Sequence, residues 1–314
     1  MRADTETIKV AAHDKAQTQS NARTKVAGND FIFSFEVYPP KKTAPIEVVY
    51  KAVDELSRLN PDYISVTYGA GGGAATAATT VEICSLIKNT YNIDTVAHLP
   101  GINLARDQVD SLLARLRAHN ITNVLALRGD RRPEDDKTTQ EGEFPYASDL
   151  VRYIKSRDVE QDFSISAACY PEVHGEAESP EVDLAHLKTK VDAGTSLLIS
   201  QLFFDNSAFY RFLEKTNKAG IRVPIQAGIM PLTNARQSAH IIKLCNPHIP
   251  ADLQALIDKY QDCDTSFRRA GIEYAIKQIS DLIDQGTDGI HLYTMNDPKT
   301  AAAITEAIRP LELK

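Results

Sequence analysis

An aromatic ring, a carboxylate and an imidazole fall within five residues at Tyr170-Pro171-Glu172-Val173-His174. Together they can stack on and hydrogen-bond a nucleotide-like ligand. No second or third histidine follows at metal spacing, so no metal site is expected. Glu36 ends an apolar run and is followed by Val37, Tyr38, Pro39, Pro40 and Lys41. Among Phe35, Val37 and Tyr38 a carboxyl is partly desolvated, which raises its pKa and suits a general acid. The competing reading pairs it with Lys41, Lys42 or another cation. Arg128-Gly129-Asp130 sets a cation and an anion around a glycine. It reads either as a local salt bridge or as a group that places Asp130 over a polar ligand. The loop Gly69-Ala70-Gly71-Gly72-Gly73 follows a strand and precedes a helix, yet it lacks the lysine of a phosphate loop and the pattern of a dinucleotide fingerprint. It is either a plain connection or a place where backbone approaches a ligand closely. His98 and His186 are isolated in sequence. No G-x-S-x-G motif or activated cysteine supports nucleophilic catalysis.

The elements that position these residues recur. Short apolar runs at 31–35, 63–66, 95–97, 124–127, 163–169, 197–200 and 290–292 lead into Glu36, Thr67, His98, Arg128-Gly129-Asp130, Tyr170, Gln201 and Tyr293. Glu36, Thr67, His98 and Asp130 are spaced by 31, 31 and 32 residues, the length of one strand, helix and return. A further strand is expected at 223–227, ending at Gly228. Helices are expected near 46–59, 76–90, 103–119, 147–156, 181–193, 207–219, 234–245, 251–260 and 264–285. Ile46, Val49, Val53, Leu56 and Leu59 mark the first as one-faced, and Pro45 suits its first turn. Tyr293 follows Gly228 by 65 residues, twice the repeat, so the segment 246–263 reads as an inserted helix in the seventh connection. The alternation predicts an α/β fold, a TIM-type (β/α)8 barrel with extra helices in the seventh connection, whose strand ends share one rim. Residues 30–314 form this single barrel domain, and 1–29 are a polar N-terminal extension with no assigned function.

Bulk properties narrow the function. The chain has 314 residues and a net charge of −7, so non-specific nucleic-acid binding is not expected. Cys84, Cys169, Cys245 and Cys263 form no C-x-x-C pair and read as reduced thiols, with Cys169 in the core. No apolar stretch is long enough to span a membrane and the N-terminus has no secretory apolar region, so the expected location is cytoplasmic.

Ten motifs in order resemble one family, the methylenetetrahydrofolate reductases. They are Phe35-Glu36-Val37-Tyr38-Pro39-Pro40-Lys41, Val66-Thr67-Tyr68-Gly69-Ala70, Ala97-His98-Leu99, Leu127-Arg128-Gly129-Asp130 and Tyr146-Ala147-Ser148-Asp149-Leu150, then Ala167 to His174, Lys190 to Gly194, Gln201 to Asp205, Gly228-Ile229-Met230-Pro231 and Leu292 to Asn296. The resemblance implies non-covalent FAD bound without a dinucleotide fingerprint. NADH or NADPH is the reductant, and methylenetetrahydrofolate is reduced to methyltetrahydrofolate for methionine synthesis. It implies that Glu36 is the general acid and that Asp130 tunes the flavin and the developing charge. Thr67, Tyr68, Ala70, His98, Arg128, Gly129, Asp130, Ala147, Tyr170, His174, Ala177, Asp183, His186 and Lys190 line the flavin site. Arg128 and Lys190 suit a pyrophosphate. Gln201 and Tyr293 contact substrate. A homo-oligomer is implied, with no nucleic-acid or membrane partner. The chain ends soon after the barrel, so no appended regulatory domain is expected. Four features depart from the family pattern: Ala235 replaces a phenylalanine, Asp297 an arginine, the loop 71–76 is uncharged, and His186 and Thr189 stand where Asn and Arg are frequent. The alternatives are a folate- or flavin-binding barrel without turnover, and a non-flavin barrel lyase or methyltransferase.

Overall fold

Eight parallel strands hydrogen-bond in chain order and close on themselves, so that β1 (Ile32–Val37) pairs with β2 (Tyr63–Val66) on one side and with β8 (Gly289–Tyr293) on the other. Between them run β3 (Asp94–Pro100), β4 (Asn123–Leu127), β5 (Ser164–Cys169), β6 (Leu197–Ser200) and β7 (Ile225–Ile229). The structure is a computed structural model and describes residues 31–40, 44–68, 74–102, 104–129 and 142–312. The N-terminal extension, the glycine loop with Ala70, the lysines at 41 and 42, and Asp130 lie outside the described residues. Phe31–Lys314 forms one compact unit. No helix among the described residues is long and apolar enough to cross a membrane.

The helices are α1 (Glu47–Ser57), α2 (Ala74–Thr90), α3 (Arg106–Ala118), α4 (Ala147–Arg157), α5 (Pro180–Asp192) and α6 (Asn206–Lys218), one in each of the first six connections. The seventh connection holds α7 (Ala235–Cys245), α8 (Ala251–Tyr260) and α9 (Asp264–Asp284), and α10 (Pro298–Glu312) follows β8. The expected extra helix is therefore α8. Local chemistry sets the starts. Ser179 accepts a hydrogen bond from the Val182 amide with Pro180 in the first turn of α5, Asp205 accepts from the Ser207 amide at α6, and Asn234 accepts from the Gln237 amide at α7.

Side chains alternate along each strand. One parity is apolar and packs beneath the helices. Phe33, Phe35, Val37, Ile64, Val66, Ala97, Leu99, Val124, Ala126, Ile290 and Leu292 join Val49, Val53 and Leu56 of α1 and Ile279 of α9 in the main core. The other parity fills the barrel and mixes polar side chains with apolar ones such as Val96, Leu125, Leu197 and Ile199. It carries Ser34, Glu36, Tyr63, Ser65, His98, Ser166, Gln226, His291 and Tyr293, and the register pairs Ser34 with Tyr63 and His291, and Glu36 with Ser65 and Tyr293. A second, smaller core of Leu202, Phe204, Met230, Leu232, Leu253 and Phe267 lies under the extra helices, and Ala235 packs against it.

The strand boundaries correct several expectations. Glu36, His98, Gly228 and Tyr293 are not beyond their strands but within them. The apolar runs were interrupted by these inward polar positions, and a run-based reading ends a strand at the first polar residue.

Candidate active site

Three strands bring Glu36 and two imidazoles together in the barrel mouth. Glu36 Oε2 lies 3.4 Å from His98 Nε2 on β3 and 3.7 Å from His291 Nε2 on β8. The Glu36 side chain is 20 % exposed, whereas His98 and His291 are buried. Burial pushes the Glu36 carboxyl up, but the polar contact with His291 and the fields of His98 and His291 outweigh it and leave the pKa below the ordinary value. The expected raised pKa is therefore not the resting state of this carboxyl, because its neighbours are imidazoles and not the apolar side chains adjacent in sequence. Burial pushes the His98 imidazole down to about 4 against the pull of Glu36. His98 is thus neutral at neutral pH, and its Nε2 is buried without a hydrogen-bond partner.

The backbone around Glu36 is clasped to the end of β8. Thr294 donates to the Glu36 carbonyl at 2.6 Å, and the Asn296 side chain accepts from the Tyr38 amide at 3.0 Å and donates to the Tyr38 carbonyl at 2.8 Å. Met295 and Asn296 both hold positive φ, 53° and 56°, to make this turn. Asp297 caps α10 through the Thr300 amide and pairs with Arg268 of α9 at 2.7 Å. Where the resemblance expects a substrate-contacting arginine, this chain has a carboxylate committed to structure.

Tyr293 leans across Gly228 to donate to the Ser200 carbonyl at 2.7 Å. A Cβ at Gly228 would stand 2.1 Å from the Ser200 oxygen and 2.7 Å from the Tyr293 hydroxyl. The glycine leaves the space the ring fills, as close approach requires. Burial raises the Tyr293 pKa well above the usual value, with Glu36 adding to it. Gln201 follows β6 directly. Its amide donates to the Cys169 carbonyl at 2.8 Å and its side chain accepts from the Leu202 amide at 2.8 Å.

A cleft of about 750 Å³ opens over the ends of β4 and β5. Arg128, Ala147, Tyr170 and His174 line it, as do Ala177, Asp183, His186 and Lys190. The Tyr170 and His174 rings meet edge to face with centroids 4.6 Å apart, and half-exposed Tyr146 stands 6.2 Å from His186. The His174 amide donates to Asp183 Oδ2 at 3.0 Å. Val173 holds φ at 73°, a strained conformation for a β-branched residue, and this turn sets His174 against Tyr170. The cations are already partnered: Arg128 pairs with Glu176, and Lys190 donates to the Ala168 carbonyl at 2.7 Å while burial lowers its pKa. Each keeps N–H donors beyond these bonds, so a bound anion can share them.

Thr67 and Tyr68 follow β2, and the Thr67 amide donates to the Val37 carbonyl at 3.0 Å. Gly129 follows β4 with φ at 89°, and a Cβ there would stand 2.5 Å from Ile102, so the glycine of the Arg-Gly-Asp motif is a backbone requirement. Thr67, Tyr68, His98 and Gly129 are not part of the lining of this cleft. Cys169 is buried with its thiol pushed up to about 12, which fits the expected core role.

His291 was not singled out by sequence, nor were Ser34, Tyr63, Ser65 and Gln226. Counting back by two from Tyr293 would have placed His291 inward, and the same step from Glu36 gives Ser34. Glu176 carries no sequence signal for its bond to Arg128.

The family model described as methylenetetrahydrofolate reductase matches residues 21–309. The chain is 38 % identical over 282 residues to methylenetetrahydrofolate reductase (NADH) 1 of Arabidopsis thaliana, covering 87 % of this chain and 47 % of that one. It is 35 % identical over 279 residues to the 5,10-methylenetetrahydrofolate reductase of Escherichia coli, covering 88 % of this chain and 91 % of that one. The chain thus spans about half the length of the plant relative and most of the bacterial one. Among solved structures, an uncharacterized Clostridium thermocellum protein that binds two copies of 5-methyl-5,6,7,8-tetrahydrofolic acid aligns with a TM-score of 0.60 at 14 % identity, over 91 % of this chain and 96 % of that one. That likeness is one of fold.

Proposed function

The chain belongs to the methylenetetrahydrofolate reductase family, and from that premise we propose that it reduces methylenetetrahydrofolate to methyltetrahydrofolate, with FAD as the bound cofactor and NADH or NADPH as the reductant. The observation that carries this reading is the Glu36 carboxyl in the barrel mouth, opposed by two imidazoles on one oxygen.

The cleft fits the cofactor. Its volume of about 750 Å³ lies in the range of ligand sites, and Tyr170, His174 and Tyr146 bring rings to it. Arg128 and Lys190 supply cationic donors for phosphate oxygens from N–H groups beyond those bonded to Glu176 and the Ala168 carbonyl. In the barrel mouth, apart from the cleft lining, the buried Nε2 of His98 beside Glu36 is a hydrogen-bonding atom still to be satisfied. When bound, FAD supplies the hydride chemistry.

The protein's own contribution is a proton at Glu36. Filling the barrel mouth removes the remaining solvent from the Glu36 side chain. That strengthens desolvation, already the largest influence on it, and favours the neutral acid. The acid O–H bond then breaks and the proton goes to the leaving nitrogen of the substrate's five-membered ring. The ring C–N bond opens with its electron pair staying on nitrogen, and the Glu36 carboxylate remains. Asp130 stabilises the developing positive charge, and Gln201 and Tyr293 hold the substrate.

The test is Glu36→Gln. Flavin reduction by NADH or NADPH is expected to proceed at the normal rate, while folate reduction is lost. Equal loss of both half-reactions would remove Glu36 from the acid role. A colourless protein that takes up no FAD would remove the whole reading. Running the first half-reaction with each nucleotide separates NADH from NADPH.

A further inference from the structure

The five polar side chains behind Glu36 form one hydrogen-bonded set, and its connectivity fixes a proton. Gln226 Nε2 lies 3.2 Å from the Ile32 carbonyl and 3.3 Å from the Ile290 carbonyl. Both can only accept, so the donor end of this amide points there, while its oxygen accepts from the Tyr63 hydroxyl. The same Nε2 donates to Ser34 Oγ at 3.0 Å. Ser34 has one proton left to give. The His291 Nδ1 atom is 2.8 Å away and the Ile290 carbonyl 3.4 Å. The other ring nitrogen, Nε2, faces the Glu36 carboxylate, which only accepts, so Nε2 carries the proton and Nδ1 accepts from Ser34. In the neutral ring the proton is then on Nε2, which faces Glu36 Oε2 at 3.7 Å and Ser65 Oγ at 3.4 Å.

The ring cannot turn away. It is fully buried, stacks on Tyr63 at 5.9 Å and meets Tyr293 edge to face at 5.3 Å. Both imidazoles approach Oε2, so Oε1 is the oxygen left for an acidic proton and for substrate.

We propose that His291 is the positioning residue of the general acid: held as the Nε2–H tautomer by Ser34 and Gln226, it closes onto Glu36 Oε2 as the proton leaves Oε1 and stabilises the carboxylate that forms. The inference rests on the acid role given to Glu36 above. At 3.7 Å the resting contact is too long for a formed hydrogen bond. The acid form is reached when substrate fills the barrel mouth, and an N–H that favours the carboxylate over that acid makes the proton easier to give up. His291 is not a proton shuttle, because the chain Glu36, His291, Ser34, Gln226, Tyr63 ends in the barrel interior, where all but Glu36 are buried. Among the described residues, the titratable groups facing Glu36 are His98 on β3, Tyr63 on β2, and His291 and Tyr293 on β8.

The test combines a spectroscopic titration with kinetics on the holoenzyme. Nitrogen NMR of labelled histidine is expected to find the His291 proton on Nε2, and isotope-edited infrared titration reads the Glu36 carboxyl directly. His291→Leu removes the donor and is expected to raise the Glu36 midpoint by roughly one unit or more, the scale of a hydrogen bond to a charged group. It should slow folate reduction by about 10-fold or more and spare flavin reduction by NAD(P)H. His291→Gln, which can return an N–H to that place, should recover most of both. Ser34→Ala frees the tautomer and should move the midpoint in the same direction as His291→Leu. It carries the test if His291→Leu does not fold. A proton on Nδ1 in the unsubstituted protein, or a Glu36 midpoint unmoved by these changes, would overturn the proposal. Folate reduction that survives Glu36→Gln would instead sink the acid role, and the titration would still report the His291 contact.

Discussion

His98 makes the stability of this barrel depend on pH in a window set by one buried ring. Its imidazole has a pKa of about 4 in the folded chain, against an ordinary value of 6.5. Between these values the unfolded chain binds the proton and the folded chain does not, so stability rises with pH across the window. The contribution is complete above 6.5 and is lost as pH falls toward 4. A separation of 2.5 units corresponds to roughly 3 kcal/mol in full, and binding expressions for the two midpoints put about 2 kcal/mol of the loss between pH 7.5 and pH 5. His98→Gln keeps a polar side chain but cannot titrate. Urea unfolding of both proteins, stripped of cofactor so that ligand affinity adds no pH dependence of its own, gives the stability difference at each pH. The unsubstituted protein is expected to lose about 2 kcal/mol more than His98→Gln over that interval. Glu36, whose folded pKa is depressed, loses its own contribution only below its ordinary value of 4.5, outside the interval. Parallel pH curves for the two proteins would refute the assignment of a buried neutral imidazole to His98.

Gly228→Ala forces a methyl group against the Ser200 carbonyl and the Tyr293 hydroxyl. Overpacking and loss of the Tyr293 hydrogen bond together should cost about 2–4 kcal/mol in urea unfolding, part of which the double variant with Tyr293→Phe recovers; a cost below about 0.5 kcal/mol would contradict the packing. Asn296→Ala removes both bonds to Tyr38 and places alanine at φ 56°. Asn296→Gly removes only the bonds, so thermal melts should rank the unsubstituted protein above the glycine variant and that above the alanine variant by about 1 kcal/mol each; an alanine variant as stable as the glycine one would deny the strain. Because the clasp sits two residues from Glu36, both should slow folate reduction more than flavin reduction.

The barrel was legible because one strand parity is apolar and recurs at a constant spacing. That signal comes from the outward faces, which the helices bury. The inward parity was read only where it interrupted a run. Glu36, His98 and Tyr293 surfaced in that way, but were placed beyond their strands. Ser34, Ser65 and His291 sit inside runs and were absorbed as apolar filler. The sequence neighbours of Glu36 suggested a raised pKa, while the neighbours that decide it come from 62 residues downstream at His98 and from the far end of the chain at His291. No local pattern reports a contact between β1, β3 and β8. The cleft residues after β5 were more legible, because Tyr170 and His174 lie in one loop and the loop itself brings their rings together. The partners of Arg128 and Lys190 were not, since Glu176 and the Ala168 carbonyl carry no mark in sequence.

The polar interior has a cost that stability alone does not explain. Barrels of this type are usually filled by layers of branched apolar side chains. Here the layer behind Glu36 holds Ser34, Tyr63, Ser65, Gln226 and His291, all buried. Such a set is tolerable only when each member is satisfied, and removing one partner strands the others in a medium that cannot hydrate them. The set is joined from three carbonyl-facing or hydroxyl-facing contacts on Gln226 through Ser34 to the Nδ1 of His291. Its one loose contact is the 3.7 Å gap to Glu36. An apolar layer of equal volume would pack as well and leave no group at risk, but it would leave Glu36 facing hydrocarbon. Its carboxylate would then be strongly disfavoured, and in the proposed reaction the acid would hold its proton at the step that requires it to be given up. The polar layer makes both protonation states of Glu36 accessible in a buried place, which the proposed proton transfer requires and folding does not.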